Sequence, residues 1–375
     1  MKVNVIGGGL AGCECAYQLL RRGFEVDMYE MRGVKNTPCH STERLAELVC
    51  SNSLKAQSLD NASGLLKYEL ARLDSLILKC AYMSDVPAGG ALAVDRVKLS
   101  ESVEKILNCF DGFELIRKEI DTVELNIPTV IATGPLTSDK MAKWFKDFLG
   151  GEYLNFYDAV APIVDGDSID YSKAFFASRY GKGGDDYLNC AMNKEQYLTF
   201  YDALIHAERA KLKDFELEVF ERCMPIEVMA SRGVDTMRYG PLRPIGIRNP
   251  HSDERPYAVI QLRKEDGEGS AYNIVGFQTN LKFSEQKRVF SMIPGLENAE
   301  FLRYGVMHAN TFINAPKVLD SAFAVKNNPF IFFAGQLTGV EGYMESVASG
   351  LIAGINLARR LSDKTDLIMP VTSVM

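Results

Sequence analysis

The segment Gly7-Gly8-Gly9-Leu10-Ala11-Gly12 follows directly on an alternating apolar run over 2–6 and opens a helical apolar pattern. It restricts the fold more than any other stretch of the chain. It matches G-x-G-x-x-G, in which each glycine has its own physical task. Gly7 permits the sharp turn out of the strand, Gly9 lets a diphosphate approach the backbone, and Gly12 lets the helix pack tightly on the strand. Gly8, Leu10 and Ala11 complete the turn, and the helix N-terminus presents free amides and a partial positive charge. The helix is expected over 10–22, with Ala16, Leu19 and Leu20 on one face and Gly23 as its stop. A second strand over 25–31 ends near Glu30, which lies 18 residues past Gly12. That is close to the about 20 expected of the ribose-binding acid. A carboxylate there accepts hydrogen bonds from ribose hydroxyls and repels a 2′-phosphate, which selects FAD or NAD over NADP. The plain alternative, a glycine-rich turn with no ligand, does not explain why strand, helix and acid arrive together.

Two later segments have the same character. Residues 129–134 read as a buried strand ending in a glycine turn, and so does Phe330-Ile331-Phe332-Phe333-Ala334-Gly335. The second leads from Gly335 and Gln336 through Gly339 and Gly342 into a helix expected over 345–361. Such segments close around a flavin in two-part folds, which favours FAD over NAD and adds Gly335 and Gln336 to the cofactor-binding candidates. No second G-x-G-x-x-G occurs, so a dedicated NAD(P)H domain of the disulfide-reductase type is not expected. Between these strands the pattern changes, with helices expected over 195–208 and 285–292 and strands over 256–263 and 271–278. The reading is an α/β fold: a Rossmann-like FAD-binding domain interrupted by a mixed α/β insertion. Its first part is 1–138, the insertion 139–304 and its second part 305–375.

A chain of 375 residues is too long for one small core. Its net charge of −7 counts against a broad nucleic-acid surface. Even so, 229–249 gathers Arg232, Arg238, Arg243 and Arg248 against Asp235 alone, either a basic patch or a solvated rim. The N-terminus enters its first strand at once, and no uncharged apolar run approaches the about 18 residues of a membrane span. A cytoplasmic protein without membrane contact is expected. The 8 cysteines are irregularly spaced without a Cys-x-x-Cys pair, so no metal site is expected and most should be small buried hydrophobes. Two stand out. Cys50 lies where polar residues begin, in Glu47-Leu48-Val49-Cys50-Ser51-Asn52-Ser53-Leu54. Cys223 adjoins Arg222 and precedes Pro225, which suits a first helical turn. A cation and a helix N-terminus both favour the thiolate, so each is a candidate catalytic thiol or else an inert half-buried one. His308 is flanked by small and polar residues and is either structural or a ligand contact. Residues 87–91, Pro-Ala-Gly-Gly-Ala, form an ordinary loop or allow close approach of a ligand. Tyr343 packs on a ring system or fills the core.

Taken together, the segments 7–12, 47–54, 86–96, 132–138, 223–230, 273–279, 304–314 and 333–350 resemble the bacterial folate- and FAD-dependent tRNA (uracil-5-)-methyltransferases. The similarity runs over essentially the whole chain. Cys50-Ser51-Asn52-Ser53-Leu54 and Cys223-Met224-Pro225-Ile226-Glu227 separate that family from the related glucose-inhibited-division-type flavoproteins of wobble uridine. The resemblance implies methylenetetrahydrofolate as one-carbon donor, FAD as carrier and hydride source, NADH or NADPH as reductant, and a T-loop uridine of tRNA as acceptor. Carbon 5 of uracil is a poor nucleophile, so a cysteine thiolate must first add to carbon 6. By position Cys223 is that nucleophile and Cys50 its partner near the flavin, removing the carbon-5 proton, with the two roles exchangeable. His308 matches a residue that stacks on the folate ring. Tyr343 joins the substrate side, and Arg232 and Arg238 become part of an RNA-facing patch. The target base must be exposed for this chemistry. Two departures are visible: family members usually continue beyond the position of Met375, and Ala309 stands where arginine is common. They leave open the same chemistry on 23S ribosomal RNA, or a folate-independent descendant. A wobble-uridine flavoprotein acting with a GTPase and a non-enzymatic FAD-binding RNA chaperone are the competing readings.

Overall fold

Val3, Val5 and Ile6 of the first strand, Lys2–Ile6, are buried, and the strand is flanked on both sides by parallel partners. Glu25–Glu30 lies on one side and Thr129–Ile131 on the other. Parallel strands need cover on both faces. On one face the helix Leu10–Leu20 is buried along its whole length, between the sheet and the C-terminal helix Tyr343–Arg360. The two helices cross closely: a Cβ at Gly350 would stand 2.2 Å from the Ala11 carbonyl oxygen. On the other face Met141 and Phe145 of the helix Asp139–Phe148 pack with Ile6, Ile131 and Phe333. The computed structural model describes residues 1–37, 39–150, 153–181, 184–210 and 224–375.

The first sheet has six strands in the order Ala324–Val325, Asn328–Phe333, Thr129–Ile131, Lys2–Ile6, Glu25–Glu30 and Phe113–Arg117. Asn328–Phe333 pairs in parallel with Thr129–Ile131, Ile331 opposite Thr129. Both ends of the chain therefore build one sheet, and the glycine turns after its strands open at one edge. This is the Rossmann-like arrangement with an insertion that the sequence pattern suggests.

The second sheet is antiparallel, in the order Ala174–Phe176, Tyr187–Met192, Ala258–Lys264, Ala271–Ile274, Ile163–Asp165 and Phe301–Arg303. Its core gathers Tyr197, Phe200 and Leu204 from the helix Lys194–Ile205 and Val289 and Phe290 from the helix Phe283–Phe290. A capping box of Asn193 and Gln196 starts the first of these helices. The strand expected over 271–278 stops at Ile274, because Gly276 turns the chain with φ +80°. The last helix begins at Tyr343 rather than 345, its entry set by Gly342 with φ +115°. A small third sheet joins Ser53–Ala56, Ala91–Val94 and Asp85–Val86, and residues 87–90 are the hairpin turn between the last two. Tyr153–Ala159 pairs separately with Met307–Ile313. Among the described residues no helix is long and apolar enough to cross a membrane.

Most of the cysteines belong to the cores. Cys13, Cys15, Cys39, Cys80 and Cys190 are buried. Burial pushes the thiols of Cys80 and Cys190 up to about 12 and also raises those of Cys13 and Cys15. Such thiols stay protonated and inert. Cys109 is exposed on the surface, and Cys50 is half-buried.

Candidate functional site

The glycine turn, the ends of the parallel strands and the start of the last helix enclose a cleft of about 780 Å³, its open mouth included. Gly7, Gly9, Leu10, Ala11, Glu30, Gly335, Gln336 and Tyr343 line it together, with Thr133 and Gly134 from the 129–134 segment. Gly7 has φ +108°, and a Cβ there would lie 2.3 Å from the Ala132 carbonyl oxygen. A Cβ at Gly12 would lie 1.9 Å from the Gly7 carbonyl oxygen, so helix and turn touch backbone to backbone. A Cβ at Gly9 meets nothing within 4 Å, which leaves that backbone edge open to the cleft. These are the conditions a diphosphate needs. Gly8 does not line the cleft; its amide donates to Glu30 Oε2 at 2.8 Å.

Glu30 is the electrostatic centre of this end. It also accepts from the Arg32 amide at 2.9 Å and from Arg32 Nη2 at 3.0 Å. A carboxylate offers about four acceptor sites, so one remains for a ribose hydroxyl. Burial pushes the Glu30 carboxyl up, but the Arg32 hydrogen bond and charge outweigh it and hold the carboxyl below its usual range. Arg32 was not evident from the sequence. Its side chain is 2% exposed and it also reaches Glu47 at 3.4 Å. Ser41 and Thr42 in turn hold Glu47, through bonds of 2.8 and 2.7 Å. Replacing Glu30 with alanine takes from the buried Arg32 its nearer counter-charge and leaves it Glu47 at 3.4 Å, at an expected cost of about 1–3 kcal/mol. A lowered urea midpoint together with loss of bound dinucleotide checks this. The Glu30 carboxyl is lower in the folded chain than in the unfolded one. The stability it contributes is therefore complete above the ordinary carboxylate range and is lost as pH falls through the lower folded value. The Glu30→Ala protein should lack that part of the acid-unfolding transition.

At the other end of the cleft the Tyr343 hydroxyl accepts from the amides of Cys50 and Ser51, at 2.8 and 3.2 Å. Burial pushes its phenol up to about 12, with help from the neighbouring Cys50, so it stays protonated. Arg96 bonds Glu265 and the carbonyl of Leu48, and Cys50 O at 3.4 Å. Arg263 donates to Asn52 Oδ1 at 2.7 Å and to Ser51 Oγ at 2.6 Å. Arg96, Arg263 and Arg303 all interact electrostatically with Cys50. Burial lowers Arg263 and Arg303, and the charge of Arg96 adds to this; for Arg96 itself Glu265 overcomes burial. The Cys50 loop is thus fixed through its backbone and surrounded by guanidinium charge. Tyr343→Phe removes the acceptor of two amides. Its expected cost is about 1–3 kcal/mol of stability with a turnover loss of about tenfold, measured by thermal melts and initial rates.

The remaining candidates lie elsewhere. Cys223 lies outside the described residues; Pro225, two positions on, stands at the N-cap of the helix Ile226–Ser231. His308 lies on the strand Met307–Ile313, opposite Asp158. Arg232 is exposed at the end of the helix Ile226–Ser231. Arg238 bonds Tyr257 O at 2.9 Å and Asp235 at 2.5 Å, and its guanidinium lies 3.5 Å from the centre of the Tyr257 ring. Neither arginine lines the cleft.

A parallel sheet completed by both chain ends, with a glycine-rich turn and a ribose-ready acid at its edge, defines a two-part dinucleotide-binding protein of the flavoprotein type. More particularly, the chain belongs to the glucose inhibited division protein A family, whose model matches residues 2–365. It is 54% identical over 374 residues to the methylenetetrahydrofolate–tRNA-(uracil-5-)-methyltransferase TrmFO of Acetivibrio thermocellus, covering 100% of this chain and 86% of that one. It is 57% identical over 371 residues to the protein of the same name from Natranaerobius thermophilus, covering 99% and 86%. Among solved structures it resembles Aquifex aeolicus GidA with a TM-score of 0.73 at 18% identity. That match covers 98% of this chain, which spans 65% of the length of the GidA chain. These relatives carry the name to which the sequence resemblance pointed.

Proposed function

We propose that this protein transfers the one-carbon unit of methylenetetrahydrofolate to carbon 5 of a T-loop uridine in tRNA, using FAD held in the cleft and NADH or NADPH as reductant. The observation that carries the reading is the tie between Tyr343, at the cleft wall, and the backbone of Cys50. It puts a candidate catalytic thiol beside the place a flavin ring would take. The relatives' names supply donor, acceptor and reaction type. FAD, when bound and reduced, supplies the carrier of the one-carbon unit and the hydride that completes the methyl group.

The chain's own residues do the rest. The amides of the 7–12 turn hold the diphosphate, Glu30 holds a ribose, and Gly335 and Gln336 close the flavin end. The Cys223 thiolate adds to carbon 6 of the uracil, which makes carbon 5 nucleophilic. Cys50, among its guanidinium neighbours, takes the carbon-5 proton so that the Cys223 sulfur can leave. His308 stacks on the folate, and Arg232 and Arg238 belong to the RNA-facing side. A tRNA substrate places the enzyme in the cytoplasm. The test is methyl transfer from labelled methylenetetrahydrofolate, with FAD and NADH, to unmodified tRNA and ribosomal RNA side by side. Label in the T-loop uridine is the expected result. Label only in 23S ribosomal RNA would change the substrate, and no label from a protein that holds FAD would overturn the reading.

A further inference from the structure

Four neighbouring strands of the second sheet bring a row of residues into register. Arg263 lies opposite Asn273, Asn273 opposite Ile163, and Ile163 opposite Arg303. Opposed residues project from the same face of a sheet. A bulge between Phe301 and Arg303 re-aims the last member. Arg303 interacts electrostatically with Arg96, Glu265 and Cys50, as Arg263 does, which puts both ends of the row on the Cys50 side.

The members differ in how their donors are used. Arg263 bonds Ser51 and Asn52, and Arg96 nearby bonds Glu265 and the Cys50 loop. Among the described residues, the Nδ2 of Asn273, a residue only 3% exposed, meets no acceptor, and neither do the buried Nε and Nη2 of Arg303. Buried donors without acceptors are costly and rare, and they mark places where a ligand supplies the missing atoms. Here the ligand must bring acceptors to a neutral amide and a guanidinium set in one row, beside a thiol. A planar ring with carbonyl oxygens on its edge fits that pair better than a phosphate, which would call for cations throughout.

We propose that Arg303 and Asn273 grip the carbonyl edge of the target uracil and take up the charge that develops there; this rests on the methyltransferase reading above. When the cysteine sulfur bonds to carbon 6, the carbon 5–carbon 6 π pair shifts toward carbon 4 and the negative charge of the thiolate arrives on oxygen 4. No proton moves in that step. Arg303, already positioned and partly desolvated, neutralises the oxyanion, and Asn273 fixes the ring plane. The charge leaves the oxygen again when carbon 5 bonds to the one-carbon unit.

The experiment reads thiol addition without the folate. FAD-loaded protein is mixed with an RNA stem-loop whose uridine carries tritium at carbon 5; addition at carbon 6 makes that hydrogen exchangeable, and its release to water is counted. Wild type should release tritium. Arg303→Met should slow the release by about 10²–10³, the size expected for a lost oxyanion donor, with the KM for RNA little changed. Asn273→Ala should slow it about tenfold. Arg303→Lys, which keeps the charge, should recover part of the rate, and bound FAD per chain guards against misfolding in all three. Release by FAD-bearing Arg303→Met or Arg303→Lys and Asn273→Ala at the wild-type rate overturns the row and leaves the methyltransferase reading standing. A wild type that releases none overturns that reading and the row with it.

Discussion

Replacing Gly12 with valine should give a colourless protein. The Cβ at position 12 would stand 1.9 Å from the Gly7 carbonyl oxygen and 3.0 Å from its carbon. Both are backbone atoms of a turn that cannot retreat, because Gly7 already sits against Ala132 with φ +108°. The helix Leu10–Leu20 would have to lift away from the first strand. Overpacking of this kind costs about 1–3 kcal/mol, and more where backbone meets backbone. It also misplaces the helix N-terminus on which diphosphate binding depends. The measurement is visible flavin absorbance per chain after desalting, together with the melting temperature. Both should fall. Gly9→Ala separates the two effects. Its Cβ meets nothing within 4 Å among the described residues, so the melting temperature of the ligand-free chain should stay put while flavin affinity drops. Full flavin content in Gly12→Val would contradict the placement of the cofactor.

Cys50→Ala should lower methyl transfer by about 10²–10⁴, the range for loss of a positioned proton acceptor. Flavin content should not change, for a structural reason. Tyr343 and Arg96 hold the main chain of Cys50, through its amide and its carbonyl, and those bonds do not involve the thiol. The loop therefore keeps its place when the sulfur is removed. Cys109→Ala serves as the control: among the described cysteines it is the exposed one, just past the helix Arg96–Leu107, and its thiol donates to Lys105 O at 3.2 Å. Single-turnover rates for the two variants should differ by the whole of the predicted factor. Equal rates would remove Cys50 from the chemistry.

What was legible in the sequence was local. The tasks of Gly7, Gly9 and Gly12 follow from a strand, a turn and a helix that adjoin along the chain, and so does the position of Glu30. The segments ending at Gly134 and Gly335 could be recognised because buried parallel strands are continuous apolar runs. The surroundings of Cys50 could not be read this way. Arg96 meets Glu265 across 169 positions, and Arg263 meets Ser51 across 212. The row of Arg263, Asn273 and Arg303 depends on register among strands as short as Ile163–Asp165 and Phe301–Arg303, too brief to show a period. Arg238 illustrates the reverse. Its charge was plain in the basic stretch, while its stacking on Tyr257 and its bond to Asp235 depend on the folded surface. Arg32 stands two residues from Glu30, and only the burial of both shows that one holds the other.

The most direct test of the central claim follows the hydrogens of the new methyl group. The FAD-loaded protein is supplied with NADH, unmodified tRNA and methylenetetrahydrofolate carrying deuterium on its methylene carbon, and the product nucleoside is weighed by mass spectrometry. The account predicts 5-methyluridine at the T-loop position whose methyl group carries both deuterium atoms and one ordinary hydrogen delivered through the flavin. A methylated uridine without deuterium, or none at all from a protein that holds its flavin, would contradict it.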